Sequence, residues 1–344
     1  MFEFFLLSAE AIKMVRQPGK ILSPIATFLG KFYDVLFNGI HGAVGAGALG
    51  LTIIVFTLIV KLILFPLMVK QQKSSFKMQQ LQPEMNKIRE KYKGKTDTMS
   101  QQRMALELQD FQKKNGVHLM GGCLPMLVQL PILYALFYIF QNPYAYVDVI
   151  GQNYTDLANA IIALPEALRV EAFAGIGQTL VNTYKIQSLD LNNVSDMVML
   201  VANVKADEWT AILQTLGDSS ASLMPILETK NQIETFLTLP LVSKCGLHFP
   251  GVLVPIVAAL TTYLQSKIMM SMNKPNTSAD DPAAQMTNSM NKTMLYFMPI
   301  MMGVFCINVP AGLGVYWTIS NIFGIIQQVV LQKHYKKKFA EGVL

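Results

Sequence analysis

Lys61 is the first residue of this sequence to ask for a chemical explanation, because it is the only charge in the 21-residue apolar run Ala48–Met68. Seven residues separate it from Met68, about 10 Å along a helix that rises 1.5 Å per residue. A lysine placed near the centre of a membrane helix costs up to ~2.5–3.5 kcal/mol. Two readings follow. Either the long stem lifts the ammonium to the cytoplasmic headgroups, or the charge faces a water-filled cavity or a partner. Neutral polar residues recur in the other apolar runs. Thr57 stands one helical turn before Lys61, Gln129 lies in Gly122–Phe140, and Thr261 and Gln265 lie in Phe249–Met270. Trp317, Asn321 and Gln328 follow in Gly312–Gln332. Taken singly, such side chains serve as hydrogen-bonding glue between helices. Taken together on facing helices, they would line a hydrophilic pocket that holds a cation, while no apolar run contains an Asp or Glu. That composition suits transient attraction of acidic groups and does not suit a proton relay, which needs titrating carboxylates.

Catalytic chemistry finds no comparable set of residues. His41, His118, His248 and His334 sit at the ends of apolar runs or in loops, without metal-ligand spacing. Cys123, Cys245 and Cys306 are scattered with no CxxC, so neither a zinc site nor a disulfide framework is expected. Cys123 and Cys306 fall in apolar runs, where a cysteine acts as a small hydrophobe. There is no Gly-rich GKS or GKT turn. The expectation is a protein that is not an enzyme and carries neither cofactor nor metal.

The elements that must hold these residues are membrane helices. The chain is 52% hydrophobic and 15% charged over 344 residues, against about 25% charged in soluble domains. Five runs approach the ~20 residues that cross the hydrocarbon: 48–68, 122–140, 249–270, 292–309 and 312–332. Pro125, Pro131 and Pro299 interrupt two of them, which neighbouring helices can accommodate. An all-α membrane protein with a five-helix core is therefore expected. Basic residues set the orientation. Lys70–Met120 carries eleven Lys/Arg against five Asp/Glu, whereas Gln141–His248 carries five against eleven. The tail, 333–344, adds Lys333, Lys336, Lys337 and Lys338 against Glu341. The pattern places the N-terminus outside and the C-terminus in the cytoplasm.

Within 1–47, Met1–Gly19 is a lead-in of unknown pose that lacks the order of a secretory signal, since Lys13, Arg16 and Lys20 follow its apolar run. Ile25–Ile40 then puts Phe28, Phe32, Val35, Leu36 and Phe37 mostly on one helical face and Lys31, Asp34 and Asn38 on the other, the pattern of an interfacial helix. Residues 69–121 read as a cytoplasmic helical hairpin. Pro83 stands near one helix start, Gly94–Asp97 is the break, Ser100 is placed to cap the second helix, and Met104, Leu106, Leu108 and Phe111 form its apolar stripe. A basic coil held against anionic lipid is the alternative. Residues 141–248 read as an extracytoplasmic helical insert, with helices expected over Thr155–Phe173, Ser195–Leu216 and Pro225–Leu237 and no strand. Residues 271–291 read as a cytoplasmic linker.

Three stretches resemble a known family. GGCLPMLVQLPI (Gly121–Ile132), PAGLGVYWTISNIFGIIQQ (Pro310–Gln328) and FPLMVKQQKSSFKMQQLQPEMNKIREKY (Phe65–Tyr92) are similar to the YidC/Oxa/Alb membrane protein insertases, above all to the shorter form of Gram-positive bacteria. The likeness runs over Ile25–Phe140 and Phe249–Lys338. It implies a five-helix core around a hydrophilic groove that opens to the cytoplasm and the lipid and is closed toward the outside, in a bacterial cell membrane. It also implies a hairpin that receives newly made membrane proteins and meets the ribosome, the targeting machinery and the Sec translocon, with no reading of nucleic-acid sequence. Lys61 falls where the family usually has arginine, which keeps the charge and loses the fork of donors. Tyr316, Trp317 and Gln265 match groove-lining positions, and Thr57, Gln129 and Asn321 are their polar neighbours. The 108 residues of 141–248 are a departure, because that connection is usually short in the family. A solute transporter or channel is the rival reading. It is opposed by the lack of an internal repeat and of intramembrane carboxylates.

Overall fold

The computed structural model describes residues 22–95, 97–116, 124–272 and 292–342, the side chains of residues 124–128, 206 and 207 aside. The expected lead-in, His118, Cys123 and nearly all of the 271–291 linker lie outside the described residues. The protein is an all-α membrane protein. Among the described residues three helices are long and apolar enough to cross a membrane, Ala48–Gln80, Leu253–Ser271 and Ala311–Ala340, and Gln129–Gln141 and Thr293–Ile307 are shorter apolar helices. The chain divides into two compact units.

The first unit comprises Met1–Phe56, Pro131–Val254 and Cys306–Val315. Helix α1 (Ser23–Val44) buries Ala26, Gly30, Tyr33 and Phe37, a row at helical spacing. The Tyr33 ring meets Phe56 at 5.4 Å and Phe140 at 5.7 Å between centroids. Phe28 and Val35 are 72% and 70% exposed. The apolar stripe expected on α1 is thus divided: Phe37 and Phe32 pack on protein, whereas Phe28 and Val35 are exposed. The Asp34 carboxylate accepts from the Asp148 amide at 2.9 Å.

After Gly45 and Gly47, both at positive φ, helix α2 (Ala48–Gln80) begins. Residues 141–248 form five further helices, α6 (Asp148–Ile162), α7 (Glu166–Tyr184), α8 (Val194–Asn203), α9 (Ala206–Leu216) and α10 (Met224–Glu234). Two of the expected long helices are therefore split. Pro165 stands at the N-cap of α7 with extended backbone, and Val204–Lys205 is likewise extended between α8 and α9. Arg169 is buried across the first break and donates to the Ile162 and Leu164 carbonyls and to Asn192 Oδ1. It satisfies carbonyls that a helix end leaves without partners. Tyr154, Leu157, Ile161, Phe173, Met197, Leu200 and Leu223 are buried at the core of this insert.

The insert also contains two strands that alternation did not reveal, β1 (Thr235–Phe236) and β2 (Leu239–Pro240), paired antiparallel. They are too short for a period-2 pattern. Leu237 and Thr238 form the turn at φ 48° and 69°, left-handed values that glycine or asparagine usually supplies. The Phe236 ring covers Gly50 of α2. A Cβ there would lie 2.2 Å from Phe236 Cγ, so only glycine admits the contact.

The second unit comprises Thr57–Leu130, Pro255–Phe305 and Tyr316–Leu344. Helix α2 does not stop at Met68 but continues to Gln80, because Gln, Lys, Ser and Met offer no breaker and Pro66 is accommodated within it. Helix α3 (Gln82–Lys91) starts on Pro83, and α4 (Thr98–Lys114) completes the hairpin. Its N-cap is Asp97, whose carboxylate accepts from the Ser100 amide at 2.8 Å. The capping residue is thus Asp97 rather than Ser100. Glu107 joins the two hairpin helices, accepting from Lys91 Nζ at 2.6 Å and Tyr92 Oη at 2.9 Å, and these donors hold its carboxyl below the usual range.

The remaining helices are α5 (Leu124–Gln141), α11 (Leu253–Met272), α12 (Met298–Ile307, entered through a π-turn at Thr293–Phe297) and α13 (Ala311–Ala340). Helix α13 carries the expected basic tail as helix to Ala340. Phe76, Leu331 and Tyr335 form a buried cluster with Val69, so the continuation of α2 packs on that of α13. Tyr335 Oη donates to the Val69 carbonyl at 3.1 Å.

Candidate functional site

The seven residues expected to line a polar groove, Thr57, Lys61, Gln129, Gln265, Tyr316, Trp317 and Asn321, all fall in the second unit. Helix α11 prepares one part. The Thr261 and Thr262 hydroxyls donate to the Val257 and Ala258 carbonyls, at 2.8 and 2.7 Å. Their protons spent locally, both oxygens accept from Asn321 Nδ2 on α13, at 3.2 and 2.9 Å. One turn further along α11, the Gln265 amide lies over Gly324. A Cβ on Gly324 would meet its Nε2 at 2.5 Å. A second link joins α5 to α13, where Gln129 Nε2 donates to Tyr316 Oη. The other end of that amide, Gln129 Oε1, is buried and meets no donor among the described residues.

Thr57 is fully buried and Lys61, one turn on, is half-buried. Among the described residues Lys61 forms no ion pair. It sits on a continuous helix with Leu62 and Ile63 exposed beside it at 60% and 68%. The α2 helix therefore presents a lipid-type surface next to a single cation. The structure links Gln129 with Tyr316 and Asn321 with Thr261. No hydrogen bond among the described residues ties Lys61 or the half-buried Trp317 to these pairs. Thr262 and Gly324 escaped the sequence reading. Both had the same signal, a small residue at helical spacing from a polar one inside a span, which lets backbones approach and amides reach across.

Hydrogen-bonded neutral amides and hydroxyls, with one unpaired acceptor and one cation, can hold polar backbone or acidic side chains. The arrangement needs a family to give it a task. A family model described as 60Kd inner membrane protein matches residues 39–338. The chain belongs to that family. It is 31% identical to membrane protein insertase YidC 2 of Bacillus anthracis over 283 residues, 82% of this chain and 71% of that relative. To membrane protein insertase YidC of Oceanobacillus iheyensis it is 30% identical over 298 residues, 87% of this chain and 79% of the relative. Membrane protein insertase MisCA of Bacillus subtilis is 29% identical over 292 residues, covering 85% and 73%. Against the family's longer form in Prosthecochloris aestuarii, 91% of this chain matches only 36% of the relative. These matches agree with the shorter, Gram-positive type of the family.

Proposed function

We propose that the protein inserts membrane proteins into the bacterial cell membrane and helps them fold, acting through a polar groove in a five-span core and without nucleotide hydrolysis. The observation that carries this is Lys61, a half-buried cation inside an apolar helix, with no ion pair among the described residues and with the polar pairs of α5, α11 and α13 in the same compact unit. The spans are α2, α5, α11, the α12 segment and α13, with the N-terminus outside and the C-terminus in the cytoplasm.

The chemistry is physical rather than covalent. A groove reaching part-way across the bilayer shortens the hydrocarbon that a polar substrate terminus must cross. Lys61 attracts acidic residues of that terminus, while Gln129 Oε1 and the amides of Gln265 and Asn321 replace the water its backbone gives up. The substrate's apolar span then leaves between helices into lipid, where burial at ~25 cal/mol per Å² drives the step. The α3–α4 hairpin, with Met99 and Leu106 exposed at 63% and 59%, receives the substrate on the cytoplasmic side. The hairpin and the basic end of α13 are the surfaces for the ribosome, the targeting machinery and the Sec translocon.

A photoreactive amino acid at positions 61, 265 and 317 tests the groove against a ribosome-stalled membrane protein. Crosslinks from all three are expected. Absence of substrate crosslinks from every one would overturn the groove.

A further inference from the structure

The 141–248 insert departs from a simple accessory domain in how it rejoins the membrane helices. Its exit segment, Gln232–Gly246, supplies the hydrogen bonds that three helix ends lack. The Gly47 amide, just before α2, donates to the Gln232 carbonyl at 3.1 Å. The first two amides of α13, Ala311 and Gly312, donate to the Ser243 and Leu241 carbonyls at 2.9 and 2.8 Å. The carbonyl of Ile307, which ends α12, and that of Val309, two residues on, accept from the Gly246 and Cys245 amides at 3.2 and 3.3 Å. Helix starts leave amides unpaired and helix ends leave carbonyls unpaired, a deficit that is costlier at a membrane. Here one exit segment, running from the end of α10 through the hairpin that follows it, meets both kinds.

Side chains follow the same course. Phe236 closes on Gly50, Leu241 is buried against the start of α13, and a Cβ on Gly312 would meet the Ile53 side chain at 2.9 Å. The strained turn at Leu237 and Thr238 is the sort of backbone cost that persists where surrounding structure over-determines it.

We propose that Gln232–Gly246 is a permanent latch on the outer ends of the spans. It holds the start of α2, the end of α12 and the start of α13 together so that no insertion path opens between these three ends. This rests on the insertion reading for what passes along the path. The latch stays shut throughout a cycle, and the remainder of the insert serves to present it.

Two measurements on the full chain in proteoliposomes test it. A Cβ at position 312 lies 3.8 Å from Leu241 Cβ, the separation a disulfide uses (about 3.8 Å). The pair Leu241→Cys/Gly312→Cys, with Cys123, Cys245 and Cys306 changed to alanine, therefore staples the latch when oxidised. Insertion of a small membrane protein by the oxidised variant is expected to stay within twofold of that by the same variant under reductant. A loss of insertion restored by reductant would show that the latch must open, and would overturn the proposal.

Conversely, Phe236→Ala/Leu241→Ala is expected to raise ion leak from the vesicles at least tenfold while the helical circular dichroism is kept. A folded variant in tight vesicles would contradict the latch. Should that variant fail to fold, the staple still decides. If the unstapled protein inserts nothing, the function reading fails, whereas the leak comparison still judges the latch.

Discussion

Lys61→Glu should lower insertion of a small membrane protein well over tenfold, Lys61→Ala should lower it about tenfold, and Lys61→Arg should leave most of it. At an effective dielectric of about 20, an ammonium and a carboxylate about 5 Å apart attract by roughly 3 kcal/mol. Retaining half of that for a substrate carboxylate corresponds to about a tenfold change in occupancy. Reversing the charge turns the attraction into repulsion, so glutamate is the most damaging replacement. Arginine keeps the charge and adds a fork of donors. The measurement is insertion by each purified variant, normalised to the protein reconstituted. A lysine that merely lifts its ammonium to the headgroups would tolerate alanine, so full activity of Lys61→Ala would remove this residue from the mechanism.

Lys230→Met should cost about 3–5 kcal/mol of stability in the insert. Glu234 is buried, and accepts from Lys230 Nζ at 2.7 Å and from Tyr154 Oη at 2.6 Å. Lys230 also lies 5.2 Å from the centroid of the Tyr154 ring. Burial and the neighbouring carboxylate push the Tyr154 hydroxyl well above its ordinary pKa, so it remains a donor. Methionine fills the space of the lysine stem but leaves a buried carboxylate without its cation, which is the expensive way to break such a pair. The double variant Lys230→Met/Glu234→Leu removes both charges and should recover most of the loss. Hydrogen exchange of the α6 and α10 amides reads both. Equal protection in the wild type and Lys230→Met would refute the role assigned to this pair. The network also reaches the β1–β2 hairpin, because Glu234 immediately precedes β1, and its carbonyl accepts from the Leu241 amide at 2.9 Å. The base of the hairpin is thereby set.

Membrane character and family were legible in the sequence because they rest on local signals: long apolar runs and three motif blocks. The candidate site was legible in its residue types, since a lysine or a glutamine inside an apolar run stands out without any structure. Its pairing was less so. That Asn321 would meet Thr261 and Thr262 together depends on both hydroxyls spending their protons on their own helix, which no spacing announces. Gly324 reads as a weak helix former until the Gln265 amide is found above it. The length of α2 was not legible, because hydropathy stops at Met68 while helix propensity does not. The polar continuation to Gln80 is held by Phe76 and Tyr335, residues 259 positions apart in the chain (335 − 76). The β1–β2 hairpin was invisible for a different reason. Two-residue strands carry no period, and their turn uses Leu237 and Thr238 where a glycine would have marked it. The insert's attachment to the ends of α2, α12 and α13 is made almost wholly by backbone groups, to which the sequence is blind.

Reconstitution of the purified protein alone tests the central claim most directly. In sealed vesicles free of nucleotide and of any translocon, it should convert a small membrane protein from carbonate-extractable to carbonate-resistant, with protease protection of the translocated end. Vesicles that pass small solutes but leave the substrate extractable would contradict insertion and favour a channel or transporter.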